Sequence, residues 1–209
     1  MRKTATMFHK KPAGLPVALA LLMVLPGCVS FGGKPPERLL TLDAAQKVAP
    51  GTLRSVMAGT TITVADPESP KLLDTVRVPV RTSATSLAYV TKVQWADTPR
   101  HLFQKLLSET IAATSNRIVL DPGQYSADAG QRLMGELVDF GLDEASNSAV
   151  VTYDAILAGP GGTAIARQRF TASAPVGGKI DAANIGVPLN IAANKVAADI
   201  AAWLAASGR

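Results

Sequence analysis

The sequence is poor in the residues that most enzymes use to move protons or hold metals. Its 209 residues include one cysteine and two histidines, and His101 is the only histidine outside the N-terminal segment. A single thiol cannot form an internal disulfide, and no pair of cysteines or histidines stands at metal-ligand spacing. We therefore predict that the protein is not an enzyme and holds no metal or soluble cofactor.

Long hydrophobic runs are also missing. The apolar run at residues 17–25 is preceded by Arg2, Lys3, Lys10 and Lys11 and by no acidic residue. A nine-residue helix rises only about 14 Å, whereas the hydrocarbon core of a bilayer is about 30 Å thick. A basic segment, a short apolar run and small residues, in this order, are typical of an export signal. Residues 1–27 are predicted to be a signal peptide.

The apolar run ends in Leu25, Pro26, Gly27 and Cys28, which resemble the lipobox of lipoprotein precursors. In a lipobox, a small residue precedes a cysteine that receives diacylglycerol before cleavage. The alternative is a chance cysteine beside an ordinary cleavage site. Acylation also accounts for a lone cysteine in an oxidising compartment, where a free thiol would be a liability. The resemblance implies covalent lipid on Cys28, with acyl chains such as palmitate that anchor the protein to a membrane.

The residues after Cys28 predict where the protein is held. In similar lipoproteins an aspartate directly after the cysteine retains the protein at the inner membrane, and Val29 is not such a signal, so we expect the outer membrane. Residues 28–36 form the lipidated N-terminus and a glycine- and proline-rich linker. The eight residues 29–36 span at most about 26 Å. A domain comprising residues 37–209 should therefore face the periplasm close to its membrane.

The basic charge of the chain lies mainly at its N-terminus. The sequence has 21 lysine and arginine residues and 16 acidic ones. Four of the basic residues precede Cys28, which leaves 17 basic against 16 acidic residues. A nucleic-acid partner is therefore not expected, since binding of that kind needs a dense basic surface.

The pattern beyond the linker predicts an α+β fold. The proline at residue 99 and the apolar spacing that follows predict a helix from Thr98 to about Asn116, and residues 188–206 predict a second helix. We expect short strands at residues 38–42, 60–65 and 118–120, an irregular pair at 75–80 and 87–93, and an antiparallel meander at 132–140, 149–157 and 165–174. The prediction is an antiparallel sheet with two amphipathic helices packed on it.

Few polar residues are candidates for chemistry. His101 falls on the polar side of the first helix, where a solvated surface role is more probable than a catalytic or metal-binding one. Asp139, Asp143 and Glu144 stand near a hairpin end, where a turn is a better interpretation than a carboxylate pair. The glycine-rich stretch 159–162 has no following lysine or helix, so it predicts a hairpin turn and not a phosphate-binding loop.

A resemblance to a known family depends on the residues leading into the first helix. Tyr89 stands at a strand end and is followed by Trp95, Ala96, Asp97 and Pro99 at the helix start. Together with the lipobox and the closing helix that contains Trp203, this pattern resembles the ABC-type transport auxiliary lipoproteins, the family that includes paraquat-inducible protein C. The resemblance spans essentially the whole chain, and it also implies an antiparallel sheet covered by two helices.

The resemblance implies a function in lipid transport. Such lipoproteins accompany ABC transporters whose substrate-binding subunits carry MCE domains and move lipids between the inner and outer membranes. The expected partners are the membrane, an MCE-domain protein and phospholipid, and a homo-oligomer is left open. For Tyr89 and Trp95 the simpler interpretation is that they anchor the helix to the sheet, and the alternative is contact with lipid or partner. For the apolar face of the last helix, the simpler interpretation is likewise a core face, and the alternative is a lipid groove.

Two other functional classes remain as alternatives. A structural or regulatory lipoprotein that contacts a cell-wall synthesis machine would normally need a long tether, which the short linker does not provide. A lipid or glycan hydrolase would need a nucleophile motif such as Gly-x-Ser-x-Gly, which the sequence lacks.

Overall fold

A computed structural model of the chain describes residues 36–55, 61–123 and 130–207. The predicted signal peptide, the lipobox with Cys28 and nearly all of the linker lie outside these residues. Among the helices of the described part, none is long and apolar enough to cross a membrane.

The described chain forms nine strands and two helices. The strands are β1 Arg38–Leu40, β2 Thr61–Val64, β3 Pro79–Ser83, β4 Ser86–Tyr89, β5 Val93–Trp95, β6 Ile118–Leu120, β7 Gln131–Asp143, β8 Ser148–Ala158 and β9 Ala164–Pro175. The helices are α1 Pro99–Thr114 and α2 Gly186–Ser207, and a single 3-10 turn, Pro160–Gly162, joins β8 to β9. The prediction of an α+β fold with two helices is confirmed.

The sheet is mixed and mostly antiparallel, so the prediction of an antiparallel sheet is confirmed in part. β7, β8 and β9 form the predicted antiparallel meander. The opposite edge of β7 pairs in parallel with β2 at its start and with β3 at its end, and β2 pairs in parallel with β6. β1 and β5 form a separate parallel pair. The long β7 therefore pairs with two short strands on the same edge, one near each of its ends.

The region predicted as an irregular strand pair is an antiparallel hairpin of β3 and β4, displaced from the predicted bounds. β3 begins at Pro79. A proline at the first position of a strand removes no hydrogen bond from the interior of that strand. The predicted second strand is divided in two, because Lys92 takes a positive φ of 66° between β4 and β5. A short bulge also interrupts the pairing between Arg81 and Ser83.

Both helices pack on one face of the sheet. Phe103 of α1 packs on Tyr153 of β8, with ring centroids 5.4 Å apart, and Trp203 of α2 packs on Phe170 of β9 at 5.7 Å. Tyr153 and Phe170 are register partners in neighbouring strands, so they project from the same face. The core is continuous from β5 to α2.

The two helices also begin at the same end of the domain. The backbone amide of Ala96, just before α1, donates to Leu40 O at 2.8 Å. A Cβ placed on Gly186, the first residue of α2, would lie 3.1 Å from Leu40 Cδ2. At the other end, Arg54 donates to Ser115 O at the C-terminus of α1, and Arg117 Nη2 lies 3.5 Å from Leu204 O in the last turns of α2. The domain thus has a helix-start end beside β1 and a helix-finish end beside Arg54.

Candidate functional site

Trp95 is part of the core. It is 2% exposed, and its ring meets Phe140 edge-on with centroids 5.4 Å apart. Phe140 in turn lies 6.2 Å from Phe103, which continues the aromatic chain to Tyr153. Trp95 Nε1 has no hydrogen-bond partner among the described residues. Its position accounts for the helix-anchoring role, while a contact with lipid or a partner stays a prediction.

Tyr89 occupies a different position, at the end of β4. Its side chain is half-buried, and the Arg77 guanidinium carbon lies 3.6 Å from the ring centroid. An arginine over an aromatic face is an attractive cation–π arrangement. The structure therefore does not bring Tyr89 and Trp95 into one site.

Tyr89 lines an open groove at the helix-start end, which we call the β1 groove. Its walls are the start of β1, the β4–β5 connection and residues 179–183, and its cavity volume is about 690 Å³. Arg38, Lys92 and Lys179 contribute positive charge, and Lys92 Nζ pairs with Glu37 at 3.0 Å. Apolar and polar side chains both contribute to the lining. This composition suits an amphipathic ligand better than a reaction centre.

A bridge of titratable groups lies at the start of α1. His101 Nε2 lies 3.1 Å from Asp66, and Nδ1 lies 3.1 Å from Asp97. The hydrogen bond from His101 and the amide of Thr98 hold the pKa of Asp97 below its usual range. The two carboxylates occupy opposite sides of the imidazole, so the three groups do not converge on one point. His101 is half-exposed here and ties the loop after β2 to α1.

The start of α1 was predicted correctly, but the capping contact differs. Thr98 occupies the N-cap position with proline next, yet its hydroxyl makes no capping hydrogen bond and is buried without a partner among the residues that the structure describes. Asp97 Oδ1 instead accepts the Thr98 amide at 2.7 Å. The carboxylate one residue earlier thus takes up an exposed helix donor.

The acidic residues near the β7–β8 hairpin are engaged locally. Arg81 pairs with Asp139 at 2.7 Å. Asp143 accepts the Ser146 amide at 2.8 Å, and this bond is the main reason that the pKa of Asp143 lies below its usual range. A catalytic carboxylate pair is therefore a poor description of these groups. Asp143 stabilises the hairpin turn, whereas Asp139 lies within β7 and links it to β3. Within the described ranges, no cluster of acidic residues or histidine could hold a metal ion.

Sequence reasoning missed a charged cluster on the sheet face away from the helices. The side chain of Asp154 in β8 is only 8% exposed, and Arg169 Nη2 and Arg167 Nη2 lie 2.7 and 3.2 Å from its Oδ2. Hydrogen bonds from Arg169, and then from Arg167, lower the pKa of Asp154 despite its burial. The alternating arginines of β9 were the available signal, but their partner lies on another strand.

A second missed feature is a clamp on residues 43–54, which cross the outside of the helix pair. Asn190 Oδ1 accepts the Asp43 amide at 2.9 Å, and Asn194 Oδ1 accepts the Ala45 amide at 2.7 Å. Asn194 also donates to Asp43 O at 2.9 Å. Further along, Glu109 of α1 accepts the Val48 amide at 2.7 Å. Side chains of both helices thus replace the backbone partners that a sheet would supply.

These features define a class of protein: an α+β domain with two helices on one face of a mixed sheet, held together by local ion pairs and side-chain clamps. A sequence model of the ABC-type transport auxiliary lipoprotein component family matches residues 40–201, and the chain belongs to this family. No curated protein sequence matches the chain at a significant level.

Two solved structures show the same fold. The chain is similar to a crystal structure of a protein from Xanthomonas campestris, with a TM-score of 0.65 and 18% identity over 83% of this chain and 94% of that chain. It is also similar to a crystal structure of an uncharacterized protein, with a TM-score of 0.64 and 14% identity over 81% of this chain and 99% of that chain. At these identities the likeness concerns the fold alone.

Proposed function

We propose that the protein is a non-enzymatic outer-membrane lipoprotein that serves as an auxiliary component of an MCE-type ABC transporter. Its task is to help move lipid, most simply phospholipid, between the inner and outer membranes. The match of the family of ABC transport auxiliary lipoproteins to residues 40–201 carries this proposal. The MCE partner and the lipid come from the resemblance of the residues around Tyr89 and Trp95.

The sequence ahead of the domain supports membrane anchoring. Cys28 is preceded by a short export signal, and β1 begins at Arg38, ten residues later. Ten extended residues span at most about 36 Å, so a lipid on Cys28 keeps the domain within that distance of its membrane. Val29 in place of aspartate favours the outer membrane.

The side chains support a binding role over a chemical one. His101 lies between two carboxylates, and Asp154 lies under two arginines. Ion pairs of this kind link neighbouring elements of the fold, and this structural role accounts for both groups. The β1 groove combines apolar side chains with basic and acidic ones, which matches the apolar and the zwitterionic part of a phospholipid.

The proposal is tested by complementing a strain that lacks the gene with Cys28→Ala, Val29→Asp or Val29→Ala. We expect Cys28→Ala to leave the domain folded, release it from membranes and fail to complement. Val29→Asp should stay lipidated but move to the inner membrane fraction and also fail, whereas Val29→Ala should behave as the unchanged protein.

The partner is tested by crosslinking the lipidated protein in membranes and identifying captured proteins and lipids by mass spectrometry. An MCE-domain protein and phospholipid are expected. Full complementation by Cys28→Ala would make the anchor incidental. Deletion without any effect on outer-membrane lipid balance, together with no captured MCE protein, would refute the proposed function.

A further inference from the structure

We propose that Leu39, Val187 and Ile191, which we call the apolar patch, rest in the phospholipid surface to which the protein is anchored and fix the orientation of the domain. This inference rests on the proposed lipid attachment at Cys28, and it adds a second contact that belongs to the folded domain itself.

These three residues are among the five large apolar side chains that are exposed in the described part of the chain. Leu39 is 65% exposed, Val187 is 70% exposed and Ile191 is 53% exposed. Large apolar side chains grouped at one place on a surface mark an interaction site more often than scattered ones do. Val187 and Ile191 lie four residues apart on α2, so they project from the same side of its first two turns.

The fold brings the three residues to the same end of the domain. Their chain neighbours Leu40 and Gly186 lie in contact. One residue before Ile191, Asn190 accepts the amide of Asp43, which follows β1 closely. The three residues therefore lie near the junction of β1 and α2, at the helix-start end.

The covalent connection to the membrane reaches the same end. β1 is the first element after the linker, so the tether from Cys28 enters the domain directly beside Leu39. The tether ends at Arg38, so the helix-start end is the part of the domain held nearest to the anchor. The apolar patch lies at this end and therefore faces the lipid in the proposed arrangement.

Charge at this end is balanced. The β1 groove is lined by three basic residues, Arg38, Lys92 and Lys179, and by three acidic ones, Glu37, Glu144 and Asp181. Lys92 pairs with Glu37, and Arg38 and Lys179 make no ion pair among the described residues. A lining with both signs of charge suits zwitterionic phospholipid headgroups, and the position of the tether commits the apolar patch to the lipid surface. The β1 groove then opens at the bilayer, where lipid enters or leaves.

The test places a fluorescent label at single cysteines in the lipidated full-length chain, since acylation leaves Cys28 without a free thiol. Val187→Cys reports on the apolar patch. Leu53→Cys is the matched control, because Leu53 is 94% exposed and precedes Arg54 at the helix-finish end. Each variant carries a nitrobenzoxadiazole label and is bound to vesicles of equal parts phosphatidylethanolamine and phosphatidylglycerol, with or without a nitroxide-labelled lipid.

We expect the label at position 187 to shift to the blue and lose most of its fluorescence to the nitroxide lipid, while the label at position 53 stays unchanged. Adding Leu39→Ser and Ile191→Ser to Val187→Cys should reduce the quenching, whereas adding Leu53→Ser should not. All these positions are exposed, so the substitutions leave the core intact.

Two results would overturn the inference. If both labels stay unquenched while the protein remains on the vesicles, the domain does not rest on the apolar patch. If position 187 is shielded and crosslinks to a second copy, the patch is a protein interface. Labelling of Cys28 together with loss of the protein from vesicles would instead refute the lipid attachment, and with it the inference that rests on it.

Discussion

Gly135 lies where any side chain would meet the backbone of the neighbouring strand, so Gly135→Ala is a sharp test of the β7–β8 pairing. A Cβ at residue 135 would lie 2.1 Å from Asp154 O and 2.7 Å from the Tyr153 hydroxyl, whereas ordinary contacts begin at 3.4 Å. The pair must therefore open by more than an ångström, and the obstacle is a backbone carbonyl that cannot rotate away. Overpacking of this kind typically costs about 1–3 kcal/mol. We expect the upper end of that range.

Thermal unfolding of the detergent-solubilised protein, followed by circular dichroism, measures the effect. For a domain of this size, a loss of about 3 kcal/mol lowers Tm by roughly 6–12 °C. Gly178→Ala is the matched control, because a Cβ there would lie 3.7 Å from Asn184 Nδ2, an ordinary contact. The control should change stability by less than about 0.5 kcal/mol. If both variants had the same Tm as the unchanged protein, the close approach of the β8 backbone to residue 135 would be refuted.

Three further substitutions test the clamp, the buried ion pair and the core. Asn194→Ala removes hydrogen bonds to residues 43–45, so it should cost about 1–2 kcal/mol and speed amide exchange there by mass spectrometry; unchanged exchange would exclude the clamp. Asp154 has a pKa below its ordinary value of 3.8, so its pairing with Arg169 stabilises the fold above about pH 4 and is lost as the pH falls further. Urea midpoints of the unchanged protein and Asp154→Asn should therefore converge below about pH 4, and a constant gap would contradict the pairing. Tyr153→Phe removes a buried hydroxyl without a partner, so its urea midpoint should stay or rise, and a clear fall would mean that the hydroxyl is bonded.

Local signals were sufficient for the helices and the meander. The proline at residue 99 and apolar residues at intervals of three and four predicted α1, which begins at Pro99 and ends at Thr114. The predicted second helix, residues 188–206, lies within α2 Gly186–Ser207. Short turns between long β-rich runs predicted β7, β8 and β9, because direct connections favour antiparallel neighbours. Each of these signals depends on residues close together in the chain.

The errors concern contacts between distant residues. The sequence of β2 holds no signal that its neighbours are β6 and β7, or that both pairings are parallel. The asparagine clamp on α2 joins residues separated by about 150 positions, so neither partner shows it alone. Lys92 with positive φ was equally hidden, since lysine has no preference for that conformation.

The same separation explains why the apolar patch escaped sequence reasoning although its members are ordinary hydrophobic residues. Leu39 appeared to be part of a first strand, and Val187 and Ile191 appeared beside or within a core helix. Only the contact between Leu40 and Gly186 places them together, and only the position of β1 after the linker places them beside the anchor. A short tether attached at the exposed apolar end of a domain acts differently from one attached at a polar end. Under the proposed lipid attachment at Cys28, such a tether holds that surface towards the lipid, so that the anchor and the fold together favour one orientation.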